Sequence, residues 1–186
     1  MSCCVSFRVL AVLGLMAAVT PMAPLSALQL GGRPAEDWAL VLESGRRIEG
    51  LEIDAVVARI GLQPGEVVAD MGAGTGIFSV SLARAVGPSG TVLAMEIDPG
   101  FLPMIEQKAV DGGVTNVQTV LGEFQDPKLP REDVDVAFFH DVIHHIEGRR
   151  AYLRTTASYL APRTASWWWT TMGITPEPPT ATGLSC

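Results

Sequence analysis

Apolar and polar positions change period several times along this chain. From Glu36 to Ile60 the apolar residues recur at helical spacing: Trp38, Leu42, Ile48, Leu51, Ile53, Val56, Val57 and Ile60. Gly45 and Gly50 interrupt them, which predicts two short helices. After the turn "GLQPGE" the runs become short, continuous and apolar. Val67 to Asp70 reads as a buried strand, and so do Thr91 to Ile97, Val117 to Gly122 and Val134 to His140. Between them lie helical stretches at Ile77 to Val86 and Pro99 to Gly113, and a last one runs from Arg149 to Leu160. Strands that alternate with helices, and that are apolar without a polar face, predict a parallel α/β sheet with helices on both faces. Such sheets bind ligands beyond the carboxyl ends of their strands.

Those strand ends carry the candidate chemistry. In "VVADMGAGTGIF" an acid, Asp70, closes the first strand, and Gly72, Gly74 and Gly76 follow, alternating with Ala73 and Thr75. Glycine lets a backbone turn tightly and approach a ligand closely, and the following helix presents N–H groups at its start. A dinucleotide loop wants G-x-G-x-x-G. Here the third glycine comes one position early and Ile77 takes its place, so the loop suits a pyrophosphate less well. The second strand ends in Glu96, about 20 residues further on, with Ile97 behind it. An acid there accepts hydrogen bonds from a ribose diol. Asp98 is placed to cap the next helix. Glu123 and Phe124 follow the third strand, and a carboxylate beside an aromatic face suits a base with an exocyclic amine.

Together these elements resemble the class I S-adenosylmethionine (SAM)-dependent methyltransferases, over roughly Val67 to Leu160. The first motif of that family falls on Asp70, Gly72, Ala73, Gly74 and Gly76. Its ribose-binding acid falls on Glu96, next to Ile97, and its adenine-contacting position on Glu123, next to Phe124. His144, His145 and Ile146 stand where the family often has a histidine-rich "HHI". The resemblance implies a Rossmann-like, mostly parallel sheet, S-adenosyl-L-methionine as methyl donor, and a small-molecule or protein methyl acceptor. His140 and Asp141, at the end of the fourth strand, are the candidate catalytic residues, for positioning the acceptor or for removing a proton. Histidine suits proton removal near neutral pH. A rival reading makes "HDVIHH" a zinc site, with His140 and His144 on one helical face. The strand that runs into His140 argues against it, so no metal site is assigned. A second alternative is a SAM-binding remnant without catalysis.

Charge and composition narrow the partners. The chain has 186 residues, 48% of them hydrophobic, and a formal net charge of −7. It can bury a core, and its acidity argues against a nucleic-acid partner. The only cysteines are Cys3, Cys4 and Cys186, which leaves the expected domain without an internal disulfide or a cysteine zinc site.

Both ends depart from the domain pattern. Residues 1–27 have one positive charge, Arg8, then an apolar run from Val9 to Val19, then Pro21, Pro24 and small residues to Ala27. That order predicts a secretory signal segment cleaved near Ala27, too short to span a bilayer comfortably, and hence export. Membrane contact is expected only through this segment. A true start at Met16 or Met22 would leave the protein cytoplasmic instead. The divisions expected are 1–27 signal-like, 28–62 a helical extension, 63–162 the SAM-binding core and 163–186 a tail. In that tail "SWWWT" stands where a fifth strand is due. Tryptophan has one codon, TGG, so TGG TGG TGG AC read one base earlier encodes Val-Val-Asp after the first codon. A one-base frameshift near Pro162 or Arg163 is therefore expected. It would make the tail disordered and out of frame, and leave the C-terminal strands of the sheet missing.

Overall fold

The computed structural model describes residues 33–162 and 166–170. The signal-like segment, residues 1–27, and the tail beyond 170 lie outside the described residues. No helix among the described residues is long and apolar enough to cross a membrane.

The sheet has five parallel strands in the order β3-β2-β1-β4-β5. They are β1 (Val67–Met71), β2 (Thr91–Glu96), β3 (Val117–Leu121), β4 (Val136–His140) and β5 (Ser166–Thr170). The order reverses between β1 and β4, which is where an open α/β sheet forms its ligand crevice. Every residue of β1 is buried, as a central parallel strand requires. Alternate residues feed two cores. Val67, Ala69 and Met71 pack with Leu93, Phe139 and Tyr152 on one face. Val68 packs with Val92, Phe138, Phe78 and Leu82 on the other.

The helices are α1 (Ala35–Leu42), α2 (Gly45–Leu51), α3 (Ile53–Ile60), α4 (Ile77–Val86), α5 (Leu102–Asp111) and α6 (Arg149–Ala157). Tyr152 of α6 belongs to the first core, and Leu51, Val57 and Phe78 place α2, α3 and α4 on the second. Polar side chains fix the strand ends. Asp135 Oδ2 accepts from the Val67 backbone N–H at 2.9 Å. Asn116 Nδ2 donates to the Gly87 carbonyl at 2.9 Å and the Ala83 carbonyl at 3.0 Å, which ties the start of β3 to the end of α4.

Three expectations need correction. The segment before β1 forms three helices, not two. The chain breaks at Glu43–Ser44 and again at Glu52, whose φ of 44° is left-handed, while Gly50 stays inside α2. The 99–113 helix opens as a 3-10 turn, Pro99–Phe101, capped by Asp98 Oδ1 accepting from the Gly100 N–H at 2.8 Å. Finally, the tryptophan run is a strand. The β5 backbone pairs with β4 from Val136↔Ser166 to His140↔Thr170, so these five residues are ordered and fill the fifth position of the sheet. Backbone pairing asks only for extended peptide groups, and a run of β-prone tryptophans supplies them.

Phe138 is 1% exposed and its ring lies 5.1 Å from that of Phe78, where β4 meets α4. Phe138→Ala should destabilise the fold by about 3–5 kcal/mol, read from the shift of the urea unfolding midpoint.

Candidate functional site

The sheet order sets the residues at the strand ends in a row. Glu123 and Phe124 follow β3, Glu96 and Ile97 close β2, Gly72 to Gly74 follow β1, and His140 and Asp141 close β4. A cavity of about 550 Å³ lies over them, and every sequence-predicted site residue except Gly76 lines it. Trp38, Val41, Leu42, Arg47 and Leu51 come in from α1 and α2, and Phe101, His145, Ile146 and Tyr152 complete the wall.

At two positions the turn after β1 has no room for a side chain. A Cβ on Gly72 would lie 2.5 Å from Val142 Cγ2, and one on Gly76 would lie 3.2 Å from Ile105 Cα. Gly72 and Gly76 also have φ of 72° and 82°, where an L side chain is strained. Gly76 therefore acts behind the cavity, by letting α5 approach α4. The Gly72 and Ala73 N–H groups donate to the Met95 carbonyl at 2.9 and 3.0 Å, so these two hold the loop to β2.

The two acids under the cavity are buried. Asp70 is 2% exposed and Glu96 is 8% exposed. Burial pushes the Asp70 carboxyl up to about 6, against the pull of Ser79, whose Oγ donates to Asp70 Oδ2 at 2.6 Å. Asp70 thus braces β1 against α4. Burial pushes Glu96 up to about 8; the Ile97 N–H opposes this, and the charges of Asp98 and Asp70 add to it. Glu123 is exposed, 3.7 Å from Lys128 Nζ, a surface pairing of little energetic weight. Phe124 is 55% exposed at the mouth.

His140 differs from expectation. Its ring packs 4.5 Å from that of Phe78, and both ring nitrogens are buried with no hydrogen-bond partner among the described residues. Burial pushes its pKa down to about 4, with Asp141 opposing and Arg47 adding to the shift. It is neutral at pH 7, and a conjugate acid that strong makes it a poor proton acceptor, so its candidacy as a base near neutral pH is not supported. His140 ends a strand while His144 lies in the 3-10 turn Ile143–His145, so the two do not share a helical face. Asp141 has φ of 52°. Its Oδ2 is 3.1 Å from Arg47 Nη2, and its Oδ1 is 3.8 Å from His144 Nδ1.

Residues 68–163, just over half of the chain, match the model of the methyltransferase domain family. The chain belongs to that family. It is 27% identical over 131 residues to the arsenite methyltransferase of Halobacterium salinarum, covering 70% of this chain and 33% of that protein. It is 35% identical over 101 residues to the ubiquinone/menaquinone biosynthesis C-methyltransferase of Ectopseudomonas mendocina, covering 50% of this chain and 39% of that one. Other relatives are named for tRNA and ribosomal RNA methylation. The chain thus spans only a third to two fifths of these curated relatives. The fold is similar to that of a SAM-dependent methyltransferase from Aquifex aeolicus, with a TM-score of 0.66, 24% identity, and coverage of 72% of this chain and 70% of that one. The cofactor of this methyltransferase domain is S-adenosylmethionine.

The strand-end residues fit that cofactor. Glu96 is a buried carboxyl at the end of β2, short of donors, and a ribose diol carries two. The glycine turn keeps the floor beside it free of side chains. Sequence reasoning missed Trp38, Arg47, Phe101 and Tyr152. Helical periodicity placed Trp38 and Arg47 before β1 without saying over which end of the sheet they fold, and no motif marked any of the four.

Two pH effects follow. Glu96 is held at about 8 in the folded chain against an ordinary value of 4.5, so between those values the folded form keeps a proton that the unfolded form has lost. Stability therefore falls as pH rises through that window. Urea midpoints of the ligand-free protein should decline from pH 4.5 to 8. Glu96→Gln should flatten the part above pH 6, where Asp70 has ceased to contribute. Diol donors favour an ionised carboxylate, so a ligand whose ribose met Glu96 would lower the Glu96 pKa and release a proton. The affinity for S-adenosylhomocysteine should consequently rise from pH 6.5 to 8 and then level off. Titration calorimetry in buffers of different ionisation enthalpy reads that proton directly.

Proposed function

We propose that this domain transfers a methyl group from SAM to a small, largely apolar organic acceptor. The observation that carries the proposal is the wall of the cavity. Trp38, Leu42, Leu51, Phe78, Phe101 and Ile146 enclose the space in front of the β1 and β4 ends. A pocket of this size and lining takes a small molecule. A macromolecular substrate needs an open face, and RNA would also meet a chain of net charge −7. Among the relatives, one is named for arsenite and one for quinone biosynthesis. No described residue is a cysteine, and a soft metalloid is best held by thiolates. The apolar wall supports an organic ring.

On this reading Asp70, Gly72, Ala73, Gly74 and Gly76 shape the floor, Glu96 and Ile97 hold the ribose, and Glu123 with Phe124 border the adenine. SAM supplies an electrophilic methyl group on a sulfonium. The chain's own part is to hold the acceptor's nucleophilic atom in line, to exclude water and to avoid trapping the proton. Neutral His140, packed on Phe78 at the end of β4, gives the acceptor side of the cavity a ring to pack against. With no base assigned at the end of β4, an acceptor that ionises easily or needs no proton removed, such as an acidic phenol or enol, suits this site best.

Transfer of label from methyl-tritiated SAM to a panel of phenols, quinols and enols tests this. Activity on at least one is expected, with loss of both activity and S-adenosylhomocysteine binding in Gly74→Arg, since a Cβ there already lies 3.4 Å from Leu42 Cδ1. Binding without transfer to any member of the panel would favour a SAM-binding protein without this activity. Labelling of RNA alone would overturn the assigned acceptor class.

A further inference from the structure

Arg47 is the one lysine or arginine among the described residues that line the cavity, in a wall that is mostly apolar with four carboxylates, Asp70, Glu96, Glu123 and Asp141. Its side chain is 18% exposed and reaches from α2 across the opening to Asp141, after β4. Neither residue belongs to the glycine loop, and the pair closes no strand or helix. Asp141 is held in a left-handed conformation that costs a non-glycine residue energy, and Asn or Asp tolerates it best. The strain aims a carboxylate at a guanidinium over the site.

Position along the sheet says what this pair meets. Glu96 and Asp141 follow β2 and β4, with β1 between them. Two strand spacings amount to about 10 Å. If the ribose lies on Glu96, the amino-acid end of the cofactor is carried past the β1 turn toward β4. That end is a zwitterion, with one carboxylate and one ammonium on the same carbon. A guanidinium beside a carboxylate is its charge complement, and both protein charges are already partly desolvated, so little is lost when the ligand enters.

We infer that Arg47 and Asp141 together form the receptor for the α-amino-acid end of SAM, Arg47 taking the carboxylate and Asp141 the ammonium. The inference rests on the reading that this cavity binds SAM. It transfers Asp141 from the acceptor to the donor side of the site, and it makes α2, outside the matched family domain, a part of the cofactor site.

Calorimetric titration of the full chain with two ligands tests it: S-adenosylhomocysteine, and 5′-methylthioadenosine, which lacks the amino-acid end. Arg47→Ala should weaken S-adenosylhomocysteine binding by about 10- to 100-fold, the range of a lost charge-assisted bond, and change methylthioadenosine binding by less than about threefold. Asp141→Asn, which suits the same backbone conformation, should show the same split. Arg47→Lys should recover part of the loss. Methylthioadenosine binding also reports that each variant is folded. Equal losses for both ligands would make the pair a scaffold and overturn the inference alone. Unchanged S-adenosylhomocysteine binding in Arg47→Ala would overturn it too, leaving Arg47 to an anion on the acceptor. If the wild-type chain binds neither ligand, the cofactor reading itself falls, and this inference with it.

Discussion

Val142 occupies the space that a side chain on residue 72 would need, with the built Cβ only 2.5 Å from its Cγ2. Much of the site depends on that exclusion. Because residue 72 carries no side chain, the segment after β4 can lie against the turn, and α5 can approach the start of α4 through Gly76. The strand ends are drawn level, and their acids and His140 open on one cavity. A larger residue at 72 would push the β4 end outward and separate Asp141 from the floor. The glycine turn thus works first as a packing device. Two of its N–H groups are spent on the Met95 carbonyl, which ties the loop to β2.

Burial then sets the electrostatics. Asp70, Glu96 and His140 all sit where water is scarce, and each is pushed toward its neutral form: the acids upward and the histidine downward. At neutral pH Glu96 and His140 are neutral while Asp70 is largely ionised, and a protonated Glu96 avoids the repulsion that two ionised acids would impose on one another. It also stands ready to ionise when hydroxyl donors arrive. Arg47 and Asp141 stand opposite each other at the rim, 3.1 Å apart. This division, buried groups on the floor and an ion pair at the rim, suits a ligand with a polar sugar in the middle and a zwitterion at one end.

Much of the architecture was legible in the residues. The apolar runs marked β1 to β4 within two residues, and Ile77–Val86 was legible in full, because Gly76 and Gly87 bound it. The acid at the end of β2 and the glycine turn carried the family resemblance, since their chemistry lies in consecutive residues. The first helices were harder: Gly50 looked like a break, yet the chain bends at Glu52, in a conformation no propensity favours. The fifth strand was hidden for a different reason. Side-chain suitability argued against "SWWWT", whereas pairing with β4 depends on backbone groups and on a neighbour already in place.

By itself, the sequence determined strands β1 to β4 and the helices between them, the glycine turn and the acids at the strand ends. Each of these depends on local periodicity or on a few adjacent residues. The tertiary structure alone decided that α1 and α2 fold over the carboxyl end of the sheet, that Arg47 reaches Asp141 across 94 residues of chain, and that His140 is packed too deeply on Phe78 to serve as a base. Contacts between distant segments, and the loss of water they bring, are properties of packing, and no local pattern encodes them.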